Sequence, residues 1–180
     1  MNLEKAERNN SKVSNAHDRF TKILFIIYVI VLFWILLLKL GVLFSYMDNR
    51  SINVVPFNES EILDGENILN VLIFVPLGVY VGILFERSNF ARNIFLCFLA
   101  TFIVEGLQVI LAVGAFDVTD IITNTLGGII GLILFKVMEK IFKGRVKAQK
   151  TINVISAIGT ILMILLLVLL KMDMLPIMYR

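Results

Sequence analysis

The residues of this chain best suited to chemistry are Glu105, Gln108, Asp117, Asp120 and Asn124. All five sit in a stretch, Phe102 to Gly131, that is otherwise apolar enough to lie in a bilayer. On insertion scales an acidic residue at mid-helix is unfavourable by roughly 2.5–3.5 kcal/mol, and less near the interface. Groups placed there need partners, water or a ligand. A carboxyl in such a low-dielectric setting has its pKa raised and can act as a general acid or base; Glu105 and Asp120 are the candidate catalytic residues. Asp117, Asp120 and Asn124 are hard oxygen donors of the kind that hold a divalent cation. Each also has a purely structural reading. Asp117 and Asp120 suit a helix N-terminus, where carboxylates satisfy free N–H groups and the helix dipole. Asn124 and Gln108 suit hydrogen bonding between helices, and Asn70 could cap a helix. Glu105 is hardest to read that way, about two turns into the membrane with no Lys or Arg at that depth in a neighbouring span.

The elements that must position these groups follow from hydropathy. The chain has 180 residues, is 58% hydrophobic and has a mean hydropathy of +0.88. Soluble domains are about 45–50% apolar, so this composition implies an all-α, multi-pass membrane protein. Five segments reach the ~20 residues a bilayer requires: approximately Ile23–Phe44, Ile68–Phe85, Ile94–Val113, Val118–Val137 and Ile152–Leu170. The first is followed by no cleavage-site pattern and reads as a retained span. Residues 1–22 form a polar tail ahead of one membrane domain, 23–180, with a single long connection at 45–67.

Basic and acidic segments alternate along the chain. Lys and Arg gather in the N-terminal tail, in Glu86–Arg92 and in Lys136–Lys150, whereas Ser45–Asn67 holds Arg50 against five acidic residues. By the positive-inside rule the N-terminus is cytoplasmic and the C-terminus outside. The net charge of +3 therefore orients the protein and argues against a nucleic-acid partner. The single cysteine, Cys97, and single histidine, His17, give no support to a disulfide or a histidine-based metal site.

With that orientation, Arg50 and Asn53 in the outer loop, Asn70, Glu105, Gln108, Asp117, Asp120 and Asn124 all fall in the outer leaflet. Helical spacing puts Cys97, Thr101, Glu105 and Gln108 on one face of the third span, and Asp117, Asp120, Asn124, Gly127 and Gly131 on one face of the fourth. In the second, Asn70, Phe74, Gly78 and Gly82 form a line. Gly78/Gly82 and Gly127/Gly131 are small-xxx-small pairs that allow close approach of membrane helices. The expectation is a core of spans two to four, with a glycine seam below a polar pocket and spans one and five outside it. Pro76 should kink span two and free a backbone carbonyl.

The segments RSINVVPF (Arg50–Phe57), NVLIFVPLG (Asn70–Gly78), EGLQ (Glu105–Gln108) and DVTDIITNTLGGIIG (Asp117–Gly131) together resemble the VanZ-like family of small membrane proteins. The resemblance implies a cell-membrane protein of mainly Gram-positive bacteria, associated with lowered susceptibility to teicoplanin-type glycopeptide antibiotics. It implies a phenotype class, not a reaction. Family members often carry an arginine shortly before the first aspartate of D-x-x-D-x-x-x-N; here Gly114-Ala115-Phe116 stand there, and Arg50 would have to serve instead. Three readings stay open. The pocket modifies a lipid-linked envelope precursor, with Arg50, Asn53, Asn70, Gln108 and Asn124 binding it. Alternatively it binds or shields without turnover, lowering glycopeptide binding at the surface. A small transporter is the third, disfavoured because the polar groups cluster at one side of the membrane. The oligomeric state is not legible.

Overall fold

The computed structural model describes residues 2–38, 52–57, 64–111 and 115–171. Five helices, α1 (Asn2–Leu38), α2 (Gly65–Leu84), α3 (Phe90–Ile110), α4 (Val118–Ile141) and α5 (Arg145–Lys171), are joined by two short strands, β1 (Ile52–Asn53) and β2 (Phe116–Asp117). Helices dominate because a bilayer offers backbone groups no water, so each must be satisfied within its own segment. Among the described residues four helices are long and apolar enough to cross a membrane: the Asp18–Leu36 part of α1, then α2, α3 and α4.

Three helix starts have a chemical cause. Asp64 accepts a hydrogen bond from the Gly65 N–H ahead of α2, and Asn89 Oδ1 accepts from the Arg92 N–H at 2.7 Å in the first turn of α3. Asp117 caps α4, its Oδ1 taking the Thr119 N–H at 2.6 Å. Side-chain oxygens at these positions satisfy donors that the helix cannot. Two helices reach beyond their apolar runs. α1 continues back through the charged residues to Asn2, and α5 starts at Arg145 instead of Ile152. Glu, Lys, Arg and Ala are good helix formers, whereas hydropathy marks only the buried part.

α2 and α4 form the closest pair. A methyl group on Gly78 would overlap the carbonyl oxygen of Gly128; one on Gly131 would overlap that of Val75, and one on Gly127 that of Val71. The glycine seam expected from the sequence is therefore a backbone-to-backbone contact. α3 joins it through Cys97, whose Cβ lies 2.7 Å from where a Cβ on Gly128 would stand. Within a bilayer, where apolar surface gains nothing by leaving lipid, this close packing supplies the attraction.

The placing of spans one and five outside the core needs correcting for both helices: Ala148 and Ile152 of α5 lie in a buried cluster with Ile83 and Phe135. Leu32 belongs to the buried cluster of Phe74, Leu77, Val81, Cys97 and Leu132. The Tyr28 hydroxyl donates to the Ile73 carbonyl at 2.8 Å. Pro76 lies inside an α2 that runs unbroken from Gly65 to Leu84, although its ring crowds the preceding turn. α1 and α5 are tied by a polar knot: Thr21 Oγ1 donates to Asn153 Oδ1 at 3.0 Å, and Gln149 Nε2 donates to Thr21 Oγ1 at 2.8 Å and to Asp18 Oδ1 at 3.0 Å.

The corner between α4 and α5 is organised by Arg145. Its Nη2 donates to the carbonyls of Gly82 at 3.0 Å and Ile83 at 2.6 Å, which terminates α2. The same guanidinium lies 3.4 Å from Glu86 and 3.5 Å from Glu139, and sits over the Phe135 ring.

Candidate functional site

At the opposite end of the bundle, α2, α3, α4 and the two strands bring together most of the polar residues singled out in the sequence. β1 pairs with β2 in parallel, Ile52 beside Phe116 and Asn53 beside Asp117. The side chains repeat the pairing: Asn53 Nδ2 donates to Asp117 Oδ2 at 3.1 Å. With Oδ1 on Thr119, both oxygens of Asp117 are engaged. Phe57, held at a φ of 58°, donates its N–H to Thr119 Oγ1 at 3.0 Å, so residues 52–57 close over the start of α4.

Glu105 is 1% exposed and accepts the Asp117 N–H on Oε2 at 3.2 Å, which joins α3 to the first peptide of α4. The carboxylates of the third and fourth spans thus converge. Asn70, on α2, donates to Asp120 Oδ1 at 2.7 Å. Asn70 is therefore an interhelix partner and not the cap of α2, a role Asp64 takes.

Asn124 lies one turn deeper, 1% exposed, with Nδ2 donating to Thr101 Oγ1 at 3.0 Å. Its Oδ1 is buried without a hydrogen-bond partner among the described residues. Gln108 turns the other way, donating to the Leu36 carbonyl of α1 at 3.1 Å. It fastens α1 to α3 beside the cluster. Arg50 lies outside the described residues.

The sequence reading named Thr101 only as one position of a stripe and passed over Thr119 and Thr123. All three are buried and bonded: Thr101 to Asn124, Thr119 to Phe57, and Thr123 Oγ1 to the Thr119 and Asp120 carbonyls at 3.0 and 3.2 Å. Thr101 stands four residues before Glu105, and Thr119 four before Thr123; that i, i+4 spacing was the available signal.

Among the described residues no group of three or more His, Cys, Asp and Glu side chains is placed to hold a metal ion. Asp117 has both oxygens engaged and Asn124 has its amide nitrogen on Thr101. Of the trio Asp117, Asp120 and Asn124, Asn124 keeps its Oδ1 without a hydrogen-bond partner among the described residues. The arrangement offers hydrogen-bond acceptors on buried carboxyl and amide groups.

Long apolar helices around a buried cluster of carboxylates and amides define a small multi-pass helical membrane protein. The VanZ/LLP1 sequence family matches residues 25–142, which span α1 from Phe25 to the end of α4 and contain every residue of the cluster. The chain is also 35% identical over 150 residues to Protein VanZ of Enterococcus faecium, an alignment covering 79% of this chain and 87% of that protein. The chain belongs to the VanZ/LLP1 family. No solved structure matches it.

Proposed function

We propose that this protein lowers susceptibility to teicoplanin-type glycopeptide antibiotics by engaging a lipid-linked cell-envelope component at the outer leaflet of the cell membrane, through the Asn70, Glu105, Asp117 and Asp120 cluster. The observation that carries the reading is the convergence on Asp117 and Asp120 of side chains from α2, α3 and the 52–57 segment, at the ends of apolar helices. Helix ends lie at headgroup depth. The Lys- and Arg-rich corner at Arg145 belongs on the cytoplasmic side by the positive-inside rule, which leaves the carboxylates facing out. Such a cluster recognises donors, the hydroxyl, amide or amine groups of a headgroup, better than it recognises phosphate. Glu105 and Asp120 are the residues whose charge this reading needs; Asn53, Asn70, Gln108 and Asn124 orient them or the bound group, and Arg50 is the candidate cation for an anionic part of it.

The test is antibiotic susceptibility in a strain made less susceptible by this protein. Glu105→Gln and Asp120→Asn, each at wild-type protein level in the membrane, are expected to restore susceptibility. Unchanged resistance in both sinks the reading.

A second reading, binding or shielding without turnover, is favoured by the engagement of both Asp117 oxygens. It expects lipid-precursor composition to be the same with and without the protein while teicoplanin bound per cell falls. A changed precursor pool refutes it.

A further inference from the structure

We infer that the end of the bundle opposite the carboxylate cluster is a docking surface for anionic phospholipid headgroups, recognised by an exposed basic rim. The bases come from separate parts of the sequence: Lys22 of α1, Arg87 between α2 and α3, Lys140 and Lys143 at the α4–α5 corner, and Lys147 and Lys150 of α5; all are exposed. The fold makes them one surface. Gln149 bonds to Asp18 and Thr21, which fixes the Lys147–Lys150 turn beside Lys22. Arg145 bonds to Glu86 and to the last carbonyls of α2, which fixes the Arg87 turn beside Lys140 and Lys143.

Three of the acids at this end already have partners. Glu86 and Glu139 both face Arg145, and Asp18 accepts from Gln149. Among the described residues no ion pair involves any of the six rim bases. The opposite end carries Asp64, Glu66, Glu105, Asp117 and Asp120, and among the described residues its one base is Lys171, at the far end of α5. Unmatched cations on long stems, next to apolar helices, reach the headgroup layer while their methylenes stay on the apolar surface. There they meet negative lipid by charge complementarity. Orientation in the membrane needs only a few such charges. A rim joined by specific interhelix bonds binds headgroups continuously as well.

The test uses the full chain reconstituted in vesicles of equimolar phosphatidylglycerol and phosphatidylcholine, extracted in mild detergent, with retained lipids counted by mass spectrometry. Retained phosphatidylglycerol is expected to exceed phosphatidylcholine by about tenfold, since several bases each add to the attraction. The preference should collapse in about 0.5 M NaCl, where screening is short-ranged. It should fall towards parity in the combined variant Lys140→Gln, Lys143→Gln, Lys147→Gln, Lys150→Gln. Asp64→Asn with Glu66→Gln, at the other end, should leave it unchanged. Should the combined variant fail to fold, the salt arm on the wild-type chain decides. A wild-type chain retaining both lipids equally overturns the proposal and leaves the rim to an acidic protein partner, and so does a preference that survives high salt. None of these outcomes depends on antibiotic susceptibility, so the two proposals stand or fall separately.

Discussion

Replacing Gly78 by alanine should be among the most damaging single changes available to this chain. The new methyl would overlap the Gly128 carbonyl oxygen, and would stand 2.7 Å from its carbonyl carbon and 2.9 Å from the Leu132 nitrogen. Carbon atoms rest about 3.5–4.0 Å apart, so α2 and α4 must separate by about 1 Å. Every obstacle is backbone, and none can rotate aside. Overpacking typically costs about 1–3 kcal/mol. A gap of that size also forfeits about a quarter to a half of each dispersion contact along the seam. Because Gly127 and Gly131 meet Val71 and Val75 in the same way, the seam opens as a unit. The expected loss is about 3 kcal/mol, at the upper end of the overpacking range. For a chain of this length that corresponds to a fall in Tm of about 6–12 °C. Thermal unfolding of the purified protein in mild detergent, followed by circular dichroism, measures it. Gly159→Ala in α5 is the control, because among the described residues its added methyl meets nothing within 4 Å beyond its own stretch of helix and alanine favours a helix by about 0.8–1 kcal/mol over glycine. A Gly78→Ala protein that melts with the wild type would falsify the backbone contact between α2 and α4.

Three further outcomes follow from individual bonds. Arg145→Gln removes charge-assisted bonds to two carbonyls and two carboxylates and should lower stability by about 2–3 kcal/mol in the same unfolding assay; recovery with Arg145→Lys would show that charge alone, and not the guanidinium fork, suffices. Thr101→Val leaves the buried Asn124 amide without its acceptor and should cost about 1–3 kcal/mol, whereas a neutral result would mean that Asn124 has another partner. Thr21→Val and Gln149→Leu share one knot, so the double variant should lose less than the sum of the singles by about 0.5–3 kcal/mol; strict additivity would contradict the α1–α5 bonds.

Where a periodic stripe carried the information, the sequence was readable. The glycine pairs of α2 and α4 lie on single helical faces, and so do Thr101, Glu105 and Asn124, so their meeting followed from a 3.6-residue repeat and the short turn between α3 and α4. What escaped lacks periodicity. Arg145 reaches Gly82 and Ile83 across more than sixty positions, and no local pattern announces a guanidinium as the terminator of a distant helix. The pairing of Ile52–Asn53 with Phe116–Asp117 involves two residues on each side, too few for an alternating signal. Gln108 shares the Glu105 stripe but donates to α1, because a side chain at the border of a face can serve either neighbour. Asp117 shows how two readings coincide: it caps a helix, as carboxylates before helices do, and through its own N–H it also meets Glu105.

Asp117 has a mechanical consequence as well. One peptide is at once the hinge pin of the surface ribbon, the first link of α4 and the handle on an acid 12 residues upstream. Pressure on the ribbon at 52–57 is passed on to the buried carboxyl without any intervening loop to absorb it. A bulky molecule settling on that ribbon and a group lodged beneath it would feel one another through a single short lever.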